Sequence, residues 1–494
     1  MKSKKTWLFM SAIVSTVIVA ILTIAAPQQT TALAGEENAH YTKKAKYVFY
    51  FIGDGMAMPQ INSTEIFKGT LNSKDRMYKD KLNFTVFPNQ GMQTTQSSNT
   101  FITDSAAAGT ALASGHKTAN DVLGVDPTNT IKFKSMAEMA KEKGMKVGIV
   151  SSVSIDHATP AVFYAHEPSR NNFYEIDLAI SNSGFDYFAG GGLLSPTGKK
   201  KDKTDALEIA KQKGYKIVNN QDEIMNLSKN DGKVIAIQPG LAKDEAMQYE
   251  IDRTNQLSLA DFTSKGIELL DNPNGFFMMV EGGKIDWAGH ANDAATSVHD
   301  VMAFDNAIAE ALKFYAKHPD ETLIVVTGDH ETGGMSIGFA GTKYETFFNK
   351  IDKQTLSYEE FDKQIKTYRA MVGEGGGNLQ DWLPVLANEF GLTELTAYDK
   401  ERLSESLAQS MIEPKKRVKD EQTYLLYGGY EPFSMTVTHI LNQKAGIGWT
   451  TYAHTGVAVP VFAQGVGGEM FQGYYDNTDV AKKMMSIMGL NFQQ

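Results

Sequence analysis

Five short apolar runs constrain this chain more than any other feature: residues 47–52, 146–151, 275–280, 322–327 and 457–463. Each carries large or β-branched residues at consecutive rather than alternate positions. A strand that is apolar at both parities is covered on both faces, and such strands belong almost wholly to parallel sheets flanked by helices. Segments with helical spacing, 134–143, 204–213 and 295–317, lie between the runs. The alternation predicts an α/β fold, an α/β/α sandwich around a mostly parallel central sheet. Residues 340–436 break the pattern, with a glycine-rich stretch at 373–377, scattered charge and no clear strand. They read as an insertion on a core formed by 35–339 and 437–494. The charged stretches 199–203 and 414–420 read as solvated loops.

Residues 1–34 have the pattern of a secretory signal: Lys2, Lys4 and Lys5, an apolar run, then Ala32-Leu33-Ala34 as a small-residue cleavage site. An uncleaved anchor is the alternative, because the apolar run is long for a signal. No later stretch resembles a membrane span. The expected address is the bacterial periplasm or the exterior. There is no cysteine, so disulfides, thiolate metal ligands and a thiol nucleophile are all excluded. A net charge of −10 without basic stripes argues against a nucleic-acid partner. Such a protein can still bind anions where metals reverse the local field.

The proposed strands share a second property: each of the first four leads to a polar group. Residues 47–52 lead to Asp54, 146–151 to His157 and Thr159, 275–280 to Glu281, and 322–327 to Asp329 and His330. Ligands of open α/β sheets bind beyond the carboxyl ends of the strands, so these groups are expected to converge there. Asp286 and His290 are spaced to share one helix face, and His454 stands just before the last run. Carboxylate with imidazole suits zinc, although i, i+4 pairs also occur on ordinary solvated helices. More than one ion is allowed by this inventory, and two close divalent ions suit in-line displacement at phosphorus.

Thr103-Asp104-Ser105-Ala106-Ala107 places a hydroxyl at the start of a small-residue helix. Unpaired N–H groups and about half a positive charge at such a terminus favour a phosphate or a serine alkoxide. An Asp-Ser pair before alanines is also an ordinary helix cap, so the motif alone leaves both readings open.

Taken together the motifs resemble those of the alkaline phosphatases. The matching pieces run in that family's order: Phe51-Ile52-Gly53-Asp54-Gly55, Thr103 to Ala107, His157-Ala158-Thr159-Pro160, Val280-Glu281-Gly282, Asp286 with His290, Gly328-Asp329-His330-Glu331 and His454-Thr455-Gly456. The resemblance implies that Ser105 is a nucleophile phosphorylated in the reaction. It implies that Asp286, His290 and His454 hold one zinc, and that Asp54, Asp329 and His330 hold a second, which lowers the pKa of Ser105. Asp54, Thr159 and Glu281 would serve a magnesium site, and Arg170 a bidentate phosphate clamp. A homodimer acting on small phosphate monoesters at alkaline pH is expected. His157 and Trp287 depart from the enterobacterial pattern of Asp and Lys and resemble marine, cold-active members. Magnesium prefers oxygen, so an imidazole at His157 is expected to weaken that ion or to meet it through water. Phosphodiesterases and sulfatases of the same superfamily are the enzymatic alternatives, and a non-catalytic metal or phosphate binder is the other.

Overall fold

The computed structural model describes residues 44–75 and 77–492; the expected signal at 1–34 lies outside them. All five apolar runs become strands, and five others join them in one ten-stranded sheet. In chain order these are β1 (Tyr47–Gly53), β2 (Asn89–Thr94), β3 (Lys146–Ser151), β4 (Tyr187–Gly190), β5 (Tyr215–Val218), β6 (Lys233–Ile237), β7 (Phe276–Glu281), β8 (Thr322–Gly328), β9 (Val459–Gly465) and β10 (Gly473–Asp476). Across the sheet the order is β10-β2-β9-β8-β1-β7-β3-β4-β6-β5.

β1 explains the three layers. All seven of its residues are buried. Val48, Tyr50 and Ile52 enter one hydrophobic cluster, with the helices Ser105–Ser114, Met136–Glu142 and Asn477–Met488. Tyr47, Phe49 and Phe51 enter the other, with Leu259–Leu270 and Ala294–Tyr315. Each such side chain contributes about 1.5–3 kcal/mol when fully buried, so neither face can turn to water. The strand is therefore held at the centre of an α/β/α sandwich.

One strand corrects the expectation of parallel runs. β9 lies antiparallel to both β8 and β2, while every other pairing in the sheet is parallel. The cause lies just upstream. His454 already sits at the carboxyl end of the sheet, so the strand that follows it must run away from that end.

Residues 340–436 contain no strand and fold as helices, among them Tyr358–Val372, Leu379–Phe390, Ala397–Ser410 and Glu421–Tyr427. With Pro432–Ala445 they bury a third cluster around Phe361, Trp382, Phe390, Leu403 and Phe433. Within 414–420, Arg417 departs from the solvated reading: its guanidinium turns inward to Glu431 at 2.7 Å and to the carbonyl of Ile412 at 3.0 Å. Among the described residues no helix is long and apolar enough to cross a membrane.

Candidate active site

Strand register assembles the site. Ile52 of β1 pairs with both Glu281 of β7 and Thr327 of β8, and Gly53 pairs with Gly328. The next residues in β1 and β8, Asp54 and Asp329, thus emerge side by side. Ser151 of β3 also pairs with Glu281, and its hydroxyl donates to that carboxylate. Gly55 lets the chain turn here: its φ is +70°, and a Cβ would lie 2.7 Å from Thr332 Oγ1.

Ser105 opens the helix Ser105–Ser114, and Asp104 caps it by accepting from the Ala107 amide at 3.0 Å. The cap and the hydroxyl are therefore different residues. Ser105 Oγ lies 3.1 Å from His330 Nε2 and 3.3 Å from Asp54 Oδ2. Asp104 has a second task, accepting from Arg170 Nη1 at 3.2 Å, which holds the guanidinium beside the helix terminus.

Asp286 and His290 share the helix Lys284–His290, and His454 arrives from the two-residue strand His454–Thr455, which pairs antiparallel with Glu331–Thr332 before β9. Their ligand-type atoms crowd together: the two Nε2 atoms are 3.1 Å apart, at 3.4 and 3.5 Å from Asp286 Oδ1. Each Nδ1 faces a backbone carbonyl, that of Tyr452 at 2.7 Å and that of Thr103 at 2.8 Å. A carbonyl can only accept, so both Nδ1 atoms carry protons, and in the neutral rings both Nε2 lone pairs point at one another. That arrangement is repulsive unless a cation or a shared proton stands between them. A second group, Asp54, Asp329 and His330, lies alongside, and Asp54 also belongs to a third with His157 and Glu281. Thr159 Oγ1 is 3.3 Å from Asp54 Oδ2.

Charge imbalance gives the same indication. Burial, then the charges of Asp329, Asp286 and Glu281, pushes Asp54 well above the usual carboxylate range. Burial raises Glu281 to about 8 and Asp329 to about 7. Against burial, the Asp286 carboxylate pulls His290 up to about 9. Glu281 Oε1 and Asp329 Oδ2 are buried without a hydrogen-bond partner. Four buried carboxylates, two of them with an orphaned oxygen, next to imidazole lone pairs, fit divalent cations. His157 differs from the other imidazoles, because Arg170 Nη2 lies 3.3 Å from its Nε2 and can only donate. Its Nε2 is thus the acceptor, and Nδ1 carries the proton.

The cavity over Ser105 measures about 330 Å³. Arg170, Trp287 and His157 line it, together with Lys243, Tyr358, Glu359 and Tyr430. The last four carry no local motif. Asp104 could have been marked from its capping position, whereas the two carbonyls that orient His290 and His454 leave no trace in residue identity.

Comparison with known proteins places these features in context. The family model for alkaline phosphatase matches residues 45–490. Alkaline phosphatase 3 of Bacillus subtilis is 31% identical over 487 residues, covering 96% of each chain. A cold-active alkaline phosphatase from a psychrophilic Shewanella superposes with a TM-score of 0.74 at 30% identity, covering 90% of this chain and 99% of that one. A histidine-to-glutamate mutant of the TAB5 alkaline phosphatase, described with Mg bound in the M3 site, has a TM-score of 0.63 at 30% identity and covers 91% of this chain and 99% of that one.

Proposed function

The chain belongs to the alkaline phosphatase family, and from that premise we propose that this metal-dependent phosphatase hydrolyses a broad range of phosphate monoesters through a phosphoserine on Ser105. The observation that carries the reading is the position of Ser105 Oγ, on an anion-favouring helix terminus and within 3.3 Å of both His330 and Asp54.

Arg170, braced by Asp104, spans two oxygens of the phosphate and turns phosphorus toward Ser105. A bond forms from Ser105 Oγ to phosphorus as the bond to the departing alcohol breaks, and the alcohol takes up the proton released by the hydroxyl. Water then attacks the phosphoserine, Ser105 recovers a proton, and inorganic phosphate leaves. Asp286, His290 and His454 would hold one zinc, Asp54, Asp329 and His330 a second, and Asp54, Thr159 and Glu281 a magnesium, all supplying positive charge for the serine alkoxide, the leaving oxygen and the attacking water. His157, an imidazole beside oxygen ligands, would weaken magnesium at the third site or meet it through water.

The protein is read further as exported and homodimeric. Exposed Phe101 and Val457, on adjoining loops beside the site, support a buried interface there. The segment 340–436 is read as an inserted body at the entrance, which Tyr358, Glu359 and Tyr430 in the cavity lining support.

Phosphate release from an aryl monoester across pH, with chelator and with zinc and magnesium restored separately, tests the reading. Alkaline turnover abolished by chelator and recovered with zinc is the expected result; no turnover with any metal would leave a binding protein. Turnover restricted to a phosphate diester or a sulfate ester would favour the sister activities. A second prediction concerns Trp287. Trp287→Lys adds a cation beside the phosphate and is expected to lower the inhibition constant of inorganic phosphate about tenfold, roughly 1.4 kcal/mol. An unchanged or larger constant would refute that account of the position.

A further inference from the structure

Lys284 has no part in the chemistry above, yet it sits between Glu281 and Asp286 with its side chain fully buried. Its ammonium makes no hydrogen bond. Compensation comes from Glu359 Oε2 at 3.6 Å, the Tyr249 ring at 3.5 Å and the Trp287 ring at 4.7 Å. Burying an ammonium is costly, and an aliphatic side chain of the same length would fill the space more cheaply. The charge therefore serves something other than packing.

Three elements meet at this ammonium. Glu359 stands in the first turn of the helix Tyr358–Val372, and Tyr249 precedes the turn Glu250–Asp252. Trp287 lies on the helix that carries Asp286 and His290. The indole in turn meets the His157 ring edge-on at 5.9 Å, and His157 contacts Arg170. A continuous set of contacts thus runs from the segment 340–436 to the guanidinium in the cavity.

We propose that Lys284 is a positioning residue for the phosphatase reaction: through Glu359 it ties the helix Tyr358–Val372 to the segment bearing Asp286, Trp287 and His290, and it fixes the indole against the cavity. The inference rests on the phosphomonoesterase reading. Cation–π contact is directional, so the ammonium sets the tilt of Trp287 as an aliphatic chain would not. Displacement of such a wall by a fraction of an ångström is enough to degrade substrate orientation.

Lys284→Met alone would strand Glu359, and any defect would then mix instability with mispositioning. The informative protein is Lys284→Met/Glu359→Gln, which removes both charges, keeps the length of residue 359 and shortens residue 284 by one atom. Metal-loaded, it is expected to melt within about 3 °C of wild type, while its KM for an aryl phosphate rises about tenfold and kcat changes less. The Trp287 share of the fluorescence, assigned by difference against Trp287→Phe, is expected to move to longer wavelength. Lys284→Arg, which retains charge and ring contact, is expected to restore both readouts. Wild-type KM and emission in the double variant would overturn the proposal and leave Lys284 a packing residue. Should the double variant not fold, Glu359→Gln alone decides by the emission shift, because Glu359 lines the cavity and its charge acts on an anionic substrate directly. A wild-type protein without turnover would count against the phosphatase reading instead, and the emission shift would still judge the tether.

Discussion

Ser105→Ala is expected to lower kcat for a phosphate monoester by about a thousandfold or more while the protein remains folded. The two halves of that result have separate causes. Oγ is the atom that accepts phosphorus, and no other hydroxyl on the helix Ser105–Ser114 replaces it in its position 3.1 Å from His330 Nε2 and beside Asp54. Stability is preserved because the cap is Asp104, whose bond to the Ala107 amide does not involve the Ser105 side chain. Alanine at the first helical position costs roughly 0.5 kcal/mol or less. Single-turnover kinetics and calorimetry on the metal-loaded variant check both parts. Turnover near wild type would refute the nucleophile, and a collapse in melting temperature would refute the separation of cap and nucleophile.

Stripped of metal, the protein is expected to lose thermal stability as pH rises from about 6.5 to about 8, and the metal-loaded protein is expected to lose less. Unfolded carboxylates titrate near about 4, whereas folded Asp329 and Glu281 titrate near about 7 and about 8. Between those values the folded groups hold protons that the unfolded chain has released. Their stability contribution is thus fully present below the unfolded pKa and is lost as pH climbs through the folded values. His290, raised to about 9, acts in the same direction above the ordinary histidine value. His157, which burial and then Arg170 push down to about 3, and His330, also lowered, act oppositely, but only below about 6.5. Above that pH all the cited shifts agree in sign. Bound cations keep these carboxylates ionised in the fold and remove their share of the slope, leaving that of Asp362, which burial raises to about 8, and loading metal near neutral pH releases protons. Calorimetry of chelated and loaded protein at several pH values reads this directly; a chelated melting temperature that stays level or climbs across the window would refute it.

How far the sequence discloses this arrangement depends on what each residue's identity can encode. β1, β3, β7 and β8 are legible within a residue or two because both of their faces are buried, and burial on two sides leaves an unbroken apolar run. β2 is not legible. Its Asn-Gln-Gly-Met-Gln-Thr is largely polar, and it holds its place through pairing and through Gln93, whose amide donates to Thr327 Oγ1 at 2.8 Å. β4 and β5 are four residues each, too short to signal a period. The ligand-type residues of the site converge as their place at strand ends implies, since parallel register converts sequence position into spatial neighbourhood. Strand direction was the missing variable at β9, although His454 contained the clue: a residue needed at the carboxyl end cannot precede a strand parallel to the rest. Lys284 and Glu359 pair across the fold, and nothing local marks either one.

The reversed β9 also imposes an order on biosynthesis. Asp54, Ser105, Glu281, Asp286, His290, Asp329 and His330 all leave the ribosome before His454 and the strand that follows it. Until β9 inserts between β8 and β2, the two edge strands β10 and β2 have nothing to join, and the Asp286 group lacks one imidazole. A nascent or truncated chain can therefore neither close its sheet nor complete its pair of facing imidazoles. The Asp286 group and the join between the two parts of the sheet are thus completed together, whereas the Asp54 groups need no residue from this last segment.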